Sequence, residues 1–360
     1  MRGIAAHPRT ASPRFVDLPE PRAGGDGQVL CRTLELGICG TDREILESQR
    51  PITPAGEAHL ILGHECLARV EETTDAAELE VGDLVVPLVR RATQQSSVRV
   101  DLLAFGQYTE RGIVAEHGFS VPWWVDRPEY LLRVEPELAP FAVLTEPLSV
   151  AEKGINEALL LQQARAGDQT WRDPPPRVLV TGMGPIGFSA VLASRVRGWP
   201  TTLFGRDQPD SRRAQLAVDF GADYMSAEEA DFELADVEAE GYDLILECTG
   251  SDEVMILAAR SLASRGVMVW LGSSRRPKAV PHNLAGLMRD GVVRNHIHLG
   301  SVNAAPRDFH MALAHLEQML AGQADLLERL ITDRVGPDEA LWHFENRVPQ
   351  GIKVVVVYEV

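Results

Sequence analysis

Hydrophobic positions change their spacing twice along the chain. Over residues 1 to about 135 they come in short β-branched runs, QVLCRTLEL, GHECLARVEE and GDLVVPLV among them, divided by Gly, Pro and charged clusters. Such runs predict a β-rich domain. Between Thr145 and Gln163 few breakers interrupt LSVAEKGINEALLLQQ, and Pro147 falls in its first turn, which predicts a helix leading out of that domain. Residues 166–177, AGDQTWRDPPPR, are polar and Pro-rich and read as a connection.

After this connection RVLVTG, SAVLASRVRG, TTLFGR, RRAQLAVDFG, YDLILECTG and RGVMVWLG follow one another. Strand and helix alternate, and the strands are apolar throughout, as a parallel sheet covered on both faces requires. Beyond Asn303 a helical DFHMALAHLEQMLAG and a strand IKVVVVYEV continue without a Gly-rich break, and they are expected to rejoin the first domain. The fold class is therefore α/β. A β-rich domain is expected over residues 1–165 and 306–360, and a doubly wound, Rossmann-type dinucleotide-binding domain over 166–305.

Composition narrows the function classes. The 360 residues are 45% apolar and 24% charged, ordinary values for a folded chain of two domains. Lys and Arg number 35 against 52 Asp and Glu, a net charge of −17 that repels nucleic acid and anionic membranes, so neither is expected as a partner. No apolar stretch of about 18 residues appears, and MRGIAAHPRTASPRF lacks a signal-peptide core, which points to the cytoplasm. Cys31, Cys39, Cys66 and Cys248 are too few and scattered for a disulfide framework and read as free thiols or ligands.

Gly182-Met183-Gly184-Pro185-Ile186-Gly187 follows one predicted strand and opens a helix, the context in which G-x-G-x-x-G binds a dinucleotide. Gly182 permits a tight turn, Gly184 lets the backbone approach a pyrophosphate, and Gly187 lets the helix pack on the strand. At the end of the second strand Gly205 leaves room for a 2′-phosphate and Arg206 offers donors to it, whereas Asp207 suits an unphosphorylated ribose. The reading favours NADP, with NAD as the alternative. Arg212 and Arg213 either assist the phosphate or lie on a solvated face. Thr249, Gly250 and Leu271, at the ends of the next two strands, are added to the expected cofactor set.

Cys39, in the Gly-flanked turn GICGTD, and the adjacent His64 and Glu65 of LGHE are donors suited to zinc. Taken alone, a buried Cys and a satisfied His account for them equally well.

The succession of GICGTDREI, LGHE, TEPL entering a helix, and GMGPIG resembles the zinc-dependent medium-chain dehydrogenases, and within them the archaeal-type glucose 1-dehydrogenases. The resemblance spans nearly the whole chain. Its more specific parts are GICGTDRE, the pair Arg90-Arg91, Glu110 in ERGI, PEYLLRV at 128–134 and EPLSVAEK at 146–153; LGHE and the glycine fingerprint belong to the whole superfamily. The resemblance implies a GroES-like catalytic domain and a catalytic zinc on Cys39 and His64, with Glu65 or Glu146 as third ligand. It makes Thr41 the start of a proton relay, so that Thr41, Glu65 and Glu146 are the catalytic set. By the same resemblance Glu110, Glu146 and Asn303, with Thr41, are expected to contact a sugar, and Asn303 the cofactor as well. His117 and His282 are weaker candidates. Val150 stands where some relatives have Asp, which removes one possible sugar contact, and Glu152 has no assigned contact.

Many relatives carry four closely spaced Cys in the lobe after the VVP strand, but residues 88–112 contain no thiol. One zinc per chain is therefore expected and no structural zinc. The implied reaction is oxidation at C1 of an aldose, glucose first, to the lactone. Sorbitol, threonine or another polyol or secondary alcohol is the alternative substrate, and an NADP-binding protein without turnover is the alternative class. A strand over residues 291–301 is expected at the sheet edge, where an unpaired edge favours a homodimer or homotetramer.

Overall fold

The β-branched runs of the N-terminal region form paired strands, as expected. In the computed structural model, which describes residues 1–23, 27–73, 78–228, 241–273 and 283–358, the main sheet is built outward from Val29–Ile38. This strand pairs antiparallel with Glu65–Glu72 on one side and Lys353–Val357 on the other. The full order is Leu131–Val134, Leu84–Pro87, Glu65–Glu72, Val29–Ile38, Lys353–Val357 and Ile331–Val335, with Trp123–Asp126 also on Val29–Ile38. The VVVV run thus lies inside a sheet begun more than 300 residues earlier, between Val29–Ile38 and the edge strand Ile331–Val335. Ile4, Leu36, Leu46, Leu62, Phe119 and Phe344 fill the core beside it.

A small sheet of Arg90–Ala92, Tyr108–Arg111 and Ala115–Glu116 forms the lobe without thiols. Buried ion pairs run through it. Asp126 accepts from both Arg91 and Arg111, the latter at 3.1 Å, while Arg90 donates to Glu110 at 2.9 Å beneath the ring of Tyr108. The Arg91 and Arg111 guanidiniums also lie over the rings of Tyr130 and Phe119.

The second sheet is parallel, in the order Asp223–Ser226, Thr201–Gly205, Val178–Thr181, Tyr242–Glu247, Leu262–Trp270 and Ile297–Gly300. Val178–Thr181 is buried along its length and Tyr242–Glu247 from Leu244 onward, as their apolar runs require. Ser211 and Ser251 cap the helices Arg212–Asp219 and Asp252–Arg260 by accepting from Ala214 N and Val254 N. Among the described residues no helix is long and apolar enough to cross a membrane.

Two expectations require correction. The units are Met1–Glu146 with Asn303–Gly322 and Ile331–Val360, and Pro147–Val302 with Gln323–Leu330, so the divide falls at Glu146/Pro147 and Val302/Asn303 rather than at 165/166 and 305/306. The helix Thr145–Ala166 belongs almost wholly to the nucleotide-binding unit because its contacts lie there. Lys153 Nζ donates to Val302 O at 2.7 Å and Gln162 Nε2 to Arg265 O at 2.9 Å. The strand expected over 291–301 is only Ile297–Gly300. Residues before it continue the helix Leu284–Arg294, which ends at Asn295 in a left-handed cap. The strand does lie at the sheet edge.

Removing one member of a buried ion pair leaves its partner charged and uncompensated, at a cost on the order of 3 kcal/mol or more. Asp126→Asn removes the carboxylate that Arg91 and Arg111 share and leaves both guanidiniums to the half-buried Glu116, at 3.5 and 3.1 Å. Urea unfolding followed by tryptophan fluorescence should show the first transition moving to clearly lower denaturant than in the wild type; an unmoved transition would show that packing alone holds the lobe.

Candidate active site

Cys39 leaves the strand Val29–Ile38 and caps the helix Gly40–Ser48 in an extended conformation, φ −100° and ψ 162°. Asp42, in that helix's first turn, is fully buried. Its carboxylate accepts Cys39 N–H at 2.9 Å and Gly63 N–H at 3.1 Å, and Oδ1 lies 3.6 Å from His64 Nδ1. One side chain therefore ties the Cys39 turn to the segment bearing His64. Burial alone would push the His64 imidazole down, but Asp42 and Cys39 outweigh it and raise it well above the usual histidine range, while His64 and the backbone donors hold Asp42 low.

Glu65 pairs across the sheet with Gly37. A Cβ at Gly37 would fall 2.1 Å from Glu65 Oε2, so the glycine makes room for the carboxylate. Lys353, buried like Glu65, donates to that Oε2 and to Ile38 O. Glu65 Oε1 is buried without a hydrogen-bond partner. Donor atoms of Cys39, His64 and Glu65 all lie within 4.8 Å of one another. A thiol, an imidazole and a carboxylate with one orphaned oxygen, in a field that raises the affinity of His64 for a proton, fit a zinc-class cation.

Glu146, expected as a possible third ligand, is buried but stands outside that group of three. Burial pushes its carboxyl up to about 7; Glu65 and Glu110 add to the rise, and His64 and Lys353 oppose it. Thr41 Oγ1 lies 3.8 Å from Cys39 Sγ. Glu110 and Asn303, expected separately as substrate residues, meet each other: Asn303 Nδ2 donates to Glu110 Oε1 at 2.9 Å, the same oxygen that accepts from Arg90. Asn303 holds a left-handed conformation, φ 60°, and its own Oδ1 accepts Ala304 N–H at 2.7 Å. His117 groups with Glu57 and His59, and His282 lies outside the described residues.

In the nucleotide-binding unit the fingerprint turn follows Val178–Thr181. Gly182 has φ 98°, and a Cβ at Gly187 would collide with Gly182 O at 1.9 Å, whereas a Cβ at Gly184 would meet nothing within 4 Å. Open space in front of Gly184, with Pro185 and Ile186 starting the helix Pro185–Val196, suits a pyrophosphate at a helix N-terminus. Glu247, closing its strand, accepts the Thr249 amide at 2.8 Å and hydroxyl and the Gly250 amide at 3.3 Å, shaping the turn that carries both cofactor candidates. Leu271 N–H is held by Glu247 O at 2.9 Å.

At the second strand's end the reasons differ from those expected. Gly205 is required by Met183, whose Sδ would lie 2.1 Å from a Cβ there. Asp207 is gripped through both oxygens by Arg213 at 2.7 Å, so Arg213 neutralises the carboxylate that argued for NAD. Arg206 is exposed. Glu152, left unassigned, forms a buried pair with Arg197 at 3.2 Å and has a structural role.

Sequence reasoning missed three residues. Asp42 stood inside the quoted motif, Lys353 is a lone cation in an apolar strand, and Glu247 is a carboxylate ending an apolar run. Each was visible as a charge where burial was predicted.

A family model described as the glucose dehydrogenase C-terminus matches residues 139–358, and one described as the alcohol dehydrogenase GroES-like domain matches 25–123. The chain is 40% identical over 336 residues to Glucose 1-dehydrogenase 1 of Caldivirga maquilingensis, covering 93% of this chain and 92% of that protein. To the Glucose 1-dehydrogenase of Thermoproteus tenax it is 37% identical over 359 residues, 99% of each chain. The structure of Haloferax mediterranei glucose dehydrogenase in complex with NADP, Zn and gluconolactone superposes with a TM-score of 0.88 at 28% identity, covering all of both chains. With one model matching well over half of the chain and relatives aligned almost end to end, the chain belongs to the glucose 1-dehydrogenase family.

Proposed function

We propose that this chain is a zinc-dependent dehydrogenase that oxidises C1 of an aldose, glucose first, to the lactone and delivers the hydride to NADP. The observation that carries the reading is the convergence of Cys39, His64 and Glu65 in the unit that also holds Glu146, Glu110 and Asn303. When bound, the metal supplies Lewis acidity toward a substrate hydroxyl and the dinucleotide accepts the hydride.

The chain's own residues do the rest. Cys39 and His64 serve as ligands, and Lys353 holds one Glu65 oxygen so that the other is left as the third donor. Asp42 keeps His64 oriented, in the manner of an outer-shell carboxylate. Thr41, beside Cys39, begins the proton relay, its Oγ1 accepting the substrate hydroxyl's proton as its own proton passes on toward solvent. Glu146, Glu110 and Asn303 bond sugar hydroxyls, and such groups reject substrates lacking hydroxyls because they would be left unpaired. Arg206 holds the 2′-phosphate, and the fingerprint turn holds the pyrophosphate. The edge strand Ile297–Gly300, next to a helix exposing Met288, Val292 and Val293, supports a homo-oligomer.

Cys39→Ser or His64→Ala should abolish turnover and lower bound zinc by one equivalent, while NADPH binding followed by fluorescence stays close to wild type. Full zinc content with normal turnover would remove the metal assignment.

Arg206→Ala should raise the KM for NADP about ten-fold or more and leave that for NAD nearly unchanged, since one charge-assisted bond contributes roughly 1.5–3 kcal/mol. Equal effects on both cofactors would mean that another residue selects between them.

A panel of glucose, galactose, xylose, sorbitol, threonine and ethanol, read by NADPH absorbance with zinc present, tests the substrate class. Glucose should rank first by kcat/KM. Faster oxidation of ethanol or threonine than of every aldose would overturn the sugar reading and leave the dehydrogenase reading standing.

Light scattering at micromolar concentration should give at least twice the monomer mass. A monomer would refute pairing through the edge strand.

A further inference from the structure

Strand pairing brings a second group of metal-class donors together in the first unit. Ala6 pairs with Leu60, so His7 and His59 follow at the end of that antiparallel pair, their ring centroids 5.7 Å apart. His117 stacks on His59, with centroids 5.3 Å apart and ring planes 18° from parallel. The turn at Gly56, φ 83°, brings Glu57 to the same place. Donor atoms of Glu57, His59 and His117 lie within 4.8 Å of one another, and none of the three belongs to the Cys39 group.

We propose that Glu57, His59 and His117 form a second divalent-cation site of zinc class, with His7 adjoining as a further imidazole. Two imidazoles and one carboxylate are a recurrent zinc ligand set, and the remaining positions fall to water. His59 Nε2 is buried with no hydrogen-bond partner, a state that a bound cation relieves. Burial, then the neighbouring His59, push His7 and His117 below the usual histidine range, which keeps them in the neutral form that binds metal. The net charge of −17 favours a cation in general.

His117 Nδ1 accepts Ile61 N–H at 3.2 Å. Coordination through Nε2 moves the ring proton to Nδ1 and gives up that single long bond in exchange for the metal. A cation there joins the 54–57 turn, the Leu60–Ile61 strand and the 117 segment. It should raise the melting temperature by binding the folded state alone.

The test is equilibrium dialysis of the holoenzyme, already holding one zinc equivalent, against micromolar zinc with metal analysis. Wild type should take up a second equivalent and melt at a higher temperature. His59→Asn and Glu57→Gln should each lose the second equivalent and the added thermal stability, with the first equivalent and glucose oxidation unchanged. Cys39→Ser should lose only the first. A wild type that stops at one equivalent, or a second equivalent that survives both His59→Asn and Glu57→Gln, overturns the site. Loss of no zinc in Cys39→Ser would instead count against the active-site metal and leave this one standing.

Discussion

The carboxylate of Asp42 joins two segments that the chain carries more than 20 residues apart, the Cys39 turn and the Gly63-His64 segment, through two backbone donors and the His64 ring. A buried carboxylate is unfavourable unless its oxygens are satisfied, and here both are satisfied by groups that must be in place for a metal site to exist. The same interaction that stabilises the charge sets the geometry of the two ligands. Glu65 is treated likewise, with Gly37 yielding space and Lys353 supplying the counter-charge.

Charge also organises the small lobe of Arg90–Ala92, Tyr108–Arg111 and Ala115–Glu116. Arg90 and Arg91 are neighbours on one strand and so point to opposite faces, one to Glu110 and one to Asp126. Through Glu110 the first of these pairs reaches Asn303, from the C-terminal return of the chain. The lobe and a proposed substrate residue therefore share one hydrogen-bonded network. Buried ion pairs of this kind add little net stability over apolar packing, but they tolerate few alternative arrangements.

In the nucleotide-binding unit, Glu247 and Asp207 show opposite uses of a carboxylate at a strand end. Glu247 turns inward onto the Thr249–Gly250 amides and shapes a turn; Asp207 is held by Arg213 on its own neighbouring helix, so its charge is already matched. A residue that in isolation argues for NAD is thereby compatible with the NADP reading.

Periodicity alone determined the β-rich and doubly wound regions, because strands buried on both faces must be apolar throughout and strands with one wet face must alternate. The glycine turn and the Cys39 and His64 motifs were legible because short-range chemistry dictates them, and a family resemblance pointed to Glu65, Glu146, Glu110 and Asn303. Tertiary structure decided what depends on partners distant in sequence. It assigned the Thr145–Ala166 helix to the second unit through contacts with Val302 and Arg265, bonded Glu110 to Asn303 across 193 positions, and brought Lys353 onto Glu65 across 288. A side chain's charge is written in the sequence, but what neutralises it is set by packing, and no local spacing encodes that.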